Sequence, residues 1–509
     1  MSARRKKPMK TATRITLAVL TMAPIVALAG GLGAVDPMPD TLDTLGAVGA
    51  RSDFARSVGQ LSTAWYCPSR MTLADTGSYG DAAFQATVGD IAATVRYAAF
   101  GSVYQAEATG LDGADVQTTL DGADSGVGAL LAARDQEADP SLLRVRLLES
   151  SDGTGATASV MSHATEGDLR GVSAASCVAP ALDQSFLLPS TGTGATQQLV
   201  VANPSDKATT VRLRAWGSTS GDQLKASTGE RYTVPAHGET TIDLSAALSD
   251  QEGLYVTVSS TLTPVAAVAR VVLADGLTPK GSDYVTPVAV SGRSLTLPGV
   301  GEGDAVRVFV RASVQGDVTF SWMTEDGAVQ ASMQHVEADR VHVVDLGEVP
   351  DGATALVVEG ADTLDGIDAA ASVTRGDGQS DFAMVGAAAA SASSAIAMPD
   401  GATATLSIVA PAGDATGRLT AYDADGVPVA TRDVAVRGGT ATSVRLADLA
   451  DGAAAVRLDV TDGGLAWGAR LTVPSVADAD VAQAAYLPAS VLAAATTTLF
   501  AAQDPTIAR

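Results

Sequence analysis

From about residue 60 onward, apolar and polar side chains alternate with a period of two. In Val211-Arg212-Leu213-Arg214-Ala215 the apolar residues take every second position, so they share one face of a strand and the arginines take the other. No long run at helical spacing follows residue 60. Twelve Asp-Gly dipeptides, Asp326-Gly327, Asp425-Gly426 and Asp462-Gly463 among them, punctuate the runs. Asp-Gly favours the left-handed turn conformations that close tight hairpins, so the pattern predicts an all-β chain with many antiparallel connections.

The pattern also repeats. A proline preceded by Cys, Leu or Met recurs at Cys67-Pro68, Leu188-Pro189, Leu297-Pro298, Met398-Pro399 and Leu487-Pro488, at intervals of 121, 109, 101 and 89 residues. Each interval is the size of one small β-sandwich. Inside each, an alternating run ends in an aromatic: TVRYAAF at Phe100, TVRLRAW at Trp216, DVTFSW at Trp322 and GRLTAY at Tyr422. A strongly β-prone strand comes later in every copy (LLRVRLL, GLYVTV, ALVVEG, AVRLDV), followed by a strand of small residues. Four tandem immunoglobulin-like β-sandwich modules are expected, over residues 61–187, 188–296, 297–397 and 398–490, with a tail at 491–509. Four tryptophans, nine tyrosines and eight phenylalanines leave each core to be built mainly of Val, Ala and Leu. Such cores are individually thin, so the tandem array is expected to lean on contacts between successive modules.

Charge divides the chain in two. Residues 1–14 carry six bases and no acid, whereas the remainder holds 27 bases against 57 acids. Immediately after the basic tip, ITLAVLTMAPIVALAGGLGAV (15–35) has no ionisable side chain. A basic start followed by an apolar run is an export signal. Twenty-one residues suffice to span a bilayer, but Pro24 interrupts the run and Ala27-Leu28-Ala29 has the pattern of a cleavage site, so residues 1–35 are expected to be either a membrane anchor or a cleaved signal peptide. Residues 36–60 are expected to form a linker, and everything beyond is expected to lie outside the cytoplasm. The formal net charge of -24 argues against nucleic acid as a partner, because phosphate binding needs clustered Lys and Arg.

Cys67 and Cys177 are the only cysteines. An exported chain with an even count most simply pairs them. No catalytic motif is present: there is no G-x-S-x-G elbow, no H-E-x-x-H and no phosphate-binding Walker loop. His163, His237, His335 and His342 are scattered. If Ala338-Asp339 were a two-residue hairpin turn, His335 would face His342 closely enough for two imidazoles to share a metal or respond to pH. A surface pair without a third ligand is the simpler expectation. The acidic stretches Asp423–Gly426 and Asp362–Gly366 invite a calcium reading, but neither supplies the ligand set of an EF-hand loop, and solvated turns are the default. Trp216 shares its face with Arg212 and Arg214, so it is expected to be partly exposed and open to stacking on a sugar or a partner, but Trp322 sits with Val318 and Phe320 on the core face, and packing or edge-plugging is the simpler expectation. No metal or cofactor is expected.

The basic export segment, W-Y-C-P at Trp65–Pro68, L-V-V-A-N-P-S at Leu199–Ser205 and the V-P-A-H-G turn at Val234–Gly238 together resemble a family of exported, membrane-anchored actinobacterial envelope proteins of unknown function. The resemblance covers most of residues 60–490 and implies a location rather than an activity. The expected function is a non-enzymatic scaffold or binding protein of the cell envelope, with an envelope protein or polysaccharide as partner and the membrane reached through the N-terminal segment. The runner-up is an accessory subunit of an envelope polysaccharide-processing enzyme, or a degenerate form of one.

Overall fold

A computed structural model describes residues 53–74, 85–122, 128–136, 138–364, 366–494 and 496–502. The expected anchor or signal at 1–35 and most of the 36–60 linker lie outside the described residues, as do Ala495 and residues 503–509 of the tail. Among the described residues no helix is long and apolar enough to cross a membrane. The chain divides into two compact units, Gly59–Thr496 and a smaller one of Met1–Val58 with Thr497–Arg509. In the smaller unit Asp53–Gly59 pairs with Thr496–Ala502 as a two-stranded sheet.

The larger unit is all-β. Among the described residues, eight antiparallel sheets pair off face to face around four apolar cores. The third pair shows the pattern. One sheet runs Ser294–Pro298, Ala355–Gly360, Gly316–Met323, Ala328–Val336, and the other runs Val341–Glu348, Ala305–Ala312, Ile367–Arg375, Asp381–Gly386. Alternation sets the facing. Val306, Val308 and Val310 point inward and meet Val318, Phe320 and Trp322 from the opposite sheet.

This strand order is not that of an immunoglobulin domain, where the first and second strands share a sheet. Here they lie in opposite sheets. The reason is the loop between them: Val300 is buried in the core and Asp304 is buried under two arginines, so the chain dives across the end of the sandwich instead of folding back as a hairpin. Each recurrent proline closes the opening strand of a sandwich (Ser62–Cys67, Asp183–Leu188, Ser294–Pro298, Ser393–Ala397), where its missing N–H ends the ladder. The exception is Pro488, which closes the last strand of the fourth sandwich.

Distance from these prolines misaligned the first copy. TVRYAAF occupies Ala92–Phe100, which pairs with Gly155–Ala164 and corresponds to the second strand of the other sandwiches, whereas TVRLRAW, DVTFSW and GRLTAY are third strands. Residues 68–91 separate the first two strands of the first sandwich, against 189–194 in the second, and this longer connection shifts the ruler by one strand.

The four sandwiches form a closed ring rather than a string. Each ends in a closing strand: Gly171–Ser176, Thr278–Val285, Asp381–Gly386 and Ala485–Pro488. Tyr284 of the second packs into the first sandwich beside Tyr66 and Met71. Phe382 and Met384 of the third enter the second core, and Tyr486 of the fourth enters the third. Val172 and Ala174 of the first pack into the fourth core beside Ile396 and Leu406, which closes the circle. The thin cores anticipated from composition are thus completed by neighbours, with the first and last sandwiches also in contact.

Cys67 and Cys177 form a disulfide with their Cα atoms 4.5 Å apart. It joins the end of the opening strand to the residue after the closing strand, and so staples the two sheets of the first sandwich. Backbone bonds between Tyr66 and Val178 (2.7 and 2.9 Å) run beside it. Closing a loop of 110 residues stabilises by roughly 4–5 kcal/mol in the chain-entropy picture. The Cys67→Ser/Cys177→Ser variant should therefore unfold at a markedly lower temperature than the oxidised wild type, with a loss of about 2–5 kcal/mol. An unchanged melting temperature would contradict the staple.

Candidate functional site

Where the four closing strands meet, two carboxylates are buried. Asp283, from the second sandwich, is 1% exposed, and Asp381, from the third, is fully buried. Oδ1 of Asp283 accepts the Ala174 amide of the first sandwich (3.2 Å), and Oδ2 accepts the Met384 amide of the third (2.7 Å). Oδ2 of Asp381 accepts the Val172 amide of the first (2.8 Å) and the Ala484 amide of the fourth (3.0 Å). The pair thus links all four sandwiches. Beside them the Ser173 hydroxyl donates to the Ser282 carbonyl at 2.8 Å.

Close approach makes the hub dependent on two glycines. Gly171 (φ 126°) and Gly281 (φ 106°) both lie in the left-handed half of backbone space. A Cβ on Gly171 would stand 2.6 Å from Asp381 Cγ, and one on Gly281 would stand 2.8 Å from Asp381 Cα. Only bare backbone lets the first and second sandwiches reach this carboxyl.

Burial pushes Asp381 up from 3.8 to about 8, against the opposing pull of the amides of Val172, Ala484, Phe382 and Ser282. Asp283 is raised well above the ordinary carboxyl range for the same reason, with its own amide donors opposing and the neighbouring Asp381 reinforcing.

Each seam of the ring adds polar clasps. Between the first and second sandwiches, the Tyr66 hydroxyl donates to Glu239 (2.5 Å) and the Tyr284 hydroxyl donates to the Ser69 carbonyl (2.9 Å). Between the second and third, the Arg311 guanidinium lies 4.9 Å from the Trp216 ring centroid and 4.3 Å from that of Tyr255, while pairing with Asp339. Between the third and fourth, the buried Asp304 receives Arg375 (2.9 Å) and Arg470 (2.7 Å). Between the fourth and first, Arg96 donates to the Met398 carbonyl (3.3 Å) and pairs with Asp400.

The residues singled out from sequence fall into place around this frame. Trp216 is half-buried on the face it shares with Arg212 and Arg214, but Arg311 of the third sandwich covers its ring, so the stacking partner lies within the chain. His335 and His342 are not cross-strand partners. Ala328–Val336 and Val341–Glu348 belong to opposite sheets, because Val336 and Val341 are both buried from opposite sides and the turn between them arches across the sandwich. His335 instead bonds Asp317 (2.8 Å), and His342 Nε2 accepts the Glu337 amide (2.7 Å). Burial, followed by the nearby Arg340, lowers the pKa of His342, consistent with a neutral ring acting as acceptor.

Asp423 turns its carboxylate onto the amides of Asp425 (3.0 Å) and Val427 (2.9 Å), which is turn chemistry. In the other acidic stretch Asp362 pairs with Arg293 (2.8 Å), while Asp365 lies outside the described residues. Among the described residues no cluster of three His, Cys, Asp or Glu side chains could hold a metal.

Above the hub, a cavity of about 530 Å³ opens between the segments that follow the closing strands, walled by Val178, Pro287, Val288, Ala388 and Pro488. Among the described residues Asp183 is the one charged group in its lining, which otherwise presents apolar, hydroxyl and amide surface.

The hub carboxylates were not anticipated, yet the sequence does carry a signal. Ser-Asp-aromatic occurs at Ser282-Asp283-Tyr284, near the end of one closing strand, and again at Ser380-Asp381-Phe382, at the start of another. Because the folded-state pKa of Asp381 is raised, its proton is held more tightly folded than unfolded. The stabilisation from that proton is complete below about pH 4 and is lost as pH rises through about 8. Asp381→Asn should therefore be destabilised most at mildly acidic pH, with the deficit shrinking toward about pH 9 in thermal melts. A deficit that grows with pH would contradict this assignment.

Among curated proteins, none matches the chain by sequence. A solved structure, Streptomyces avermitilis alpha-L-rhamnosidase complexed with L-rhamnose, is similar at 12% identity over 72% of this chain and 54% of that one, with a TM-score of 0.11. The chain thus spans about half the length of that enzyme. A family model, described as a family of unknown function (DUF5719), matches residues 131–447, a stretch that includes both Ser-Asp-aromatic segments and the first three closing strands. With well over half of its length matched, the chain belongs to that family.

Proposed function

We propose that the protein is a non-enzymatic scaffold or binding protein of the cell envelope, exported by residues 15–35 and either anchored by them or released. The observation that carries this reading is the use made of the buried carboxylates. Asp283 and Asp381 are occupied by backbone amides of neighbouring sandwiches, and Asp304 by two arginines. Glycoside cleavage would instead need two carboxyls flanking an open cleft, one free to give a proton and the other to attack or to activate water. The interior acids here hold shape.

A closed ring with a polar clasp at each seam fixes the relative positions of four outer surfaces, as a platform for partners requires. The disulfide supports an oxidising location, since such bonds persist outside the cytoplasm. The acidic body supports a protein or neutral-polymer partner over nucleic acid.

The test is to incubate purified protein with insoluble envelope material and follow two signals, co-sedimentation and release of reducing sugar ends. The scaffold reading predicts co-sedimentation without release. Release of reducing ends above the blank would overturn it in favour of the polysaccharide-processing alternative.

A further inference from the structure

The fourth strand of each sandwich lies at the outer edge of its sheet, and an open edge exposes unpaired N–H and C=O groups that template another strand. Three of the four edges carry the usual protections. In the first sandwich the edge is only Val116–Thr119. In the second it is broken into Gln223–Leu224 and Arg231–Val234, with Lys225 and Glu230 between them. In the fourth, Pro428–Val436 opens with a proline and carries Arg432 and Asp433, the latter paired with Arg418 at 2.8 Å.

The third sandwich has no break, proline or charge in its edge, and its one protection is a bulge at Ala331, where the register with Gly316–Met323 shifts. Its edge, Ala328–Val336, is nine residues long and reads AVQASMQHV, with no Pro, Gly, Lys, Arg, Asp or Glu. Among the described residues Gly316–Met323 is its one neighbour in the sheet. Every residue from Ala328 to His335 is exposed except the half-buried Ser332, and Val329 and Met333 are 53% and 57% exposed. A long uncharged edge is an aggregation hazard unless something covers it. Brevity, charge or proline guards the equivalent edge in the three sister sandwiches, and the lack of all three here is a feature of this site.

Charge decides what would cover it. Glu325 and Asp326 stand exposed at one end of the strand beside Arg437, and at the other Asp317 bonds His335 (2.8 Å) while Glu337 pairs with Arg340 (2.8 Å), so that acids outnumber Arg and Lys by one at each end. A second copy is a poor fit, because pairing two edges would bring together acidic ends of chains that each carry a formal charge of -24. We propose that Ala328–Val336 is a docking edge for an extended segment of a partner protein with an uncharged, β-prone centre and basic ends, which adds to the sheet as a fifth strand. Main-chain hydrogen bonds would supply the pairing. Val329 and Met333 would pack on the apolar side chains of the incoming strand, while its terminal bases meet the flanking acids.

The proposal rests on the scaffold reading and names the surface at which that scaffold takes a partner. Its test uses the full chain and a synthetic peptide of alternating threonine and valine with a pair of lysines at each end. The wild type should bind the peptide, and the amides of Ala328–Val336 should gain protection from hydrogen exchange. Gln330→Lys/Met333→Lys, which installs the protection its sisters have, should weaken binding at least about tenfold with an unchanged melting temperature. Val429→Lys on the fourth sandwich's edge should bind as wild type. Absence of peptide binding, equal binding by the double-lysine variant, equal binding of an acid-ended peptide, or a β-paired homodimer at this edge would each overturn the proposal. The envelope assay of the scaffold reading does not use this peptide, so the two can fail separately.

Discussion

Everything in the larger unit turns on two carboxyl groups that accept backbone amides across sandwich boundaries. A buried carboxyl is costly without hydrogen bonds, and an edge strand's amides are costly when buried without acceptors. At the ring centre the amides find acceptors in Oδ2 of Asp381 and both oxygens of Asp283, while Oδ1 of Asp381 has no hydrogen-bond partner among the described residues. Asp283 reaches strands on both sides of its own, and Asp381 reaches the first and fourth sandwiches. The closing strands can therefore converge without pairing into one sheet. Gly171 and Gly281 are the backbone conditions for that convergence.

Once the centre is fixed, the rest of the ring follows from simple burial. Tyr284, Phe382 and Tyr486 each project from a closing strand into the preceding sandwich, and Val172 and Ala174 take that part against the fourth. Cores built of Val, Ala and Leu are thus completed by their neighbours. The segments after the closing strands then fold back on the opening strands: Val288 donates to the Ser185 carbonyl (2.7 Å), Ala388 to that of Thr296 (2.8 Å), and Ser490–Val491 pairs with Ser394 and Ala395. These inner edges are covered by the chain itself, in contrast to the open outer edge of the third sandwich.

Much of the local structure was legible in the sequence because it depends on near neighbours. Alternation such as that of Val211–Ala215 marks strands, Asp-Gly marks turns, and the recurring proline marks the end of each opening strand. What was not legible depends on distant pairs. The amide of Val172 and the carboxyl of Asp381 are 209 residues apart, and no local period reports that meeting. The supposed His335–His342 hairpin failed because apolar residues on both sides of a short turn fit an arch between sheets as well as a hairpin within one. Only the burial of Val336 and Val341 from opposite sides separates the two. Trp216 was correctly placed on an outward face, yet the arginine that covers it comes from the next sandwich.

The central claim is that amides donated to Asp283 and Asp381 hold four sandwiches as one cooperative body. Native-state hydrogen exchange at the amides of Val172, Ala174, Met384 and Ala484 tests it most directly. The account predicts that all four exchange only through a common, global opening and share one opening free energy. Fast exchange at these amides, or a separate opening free energy for each sandwich, would contradict it.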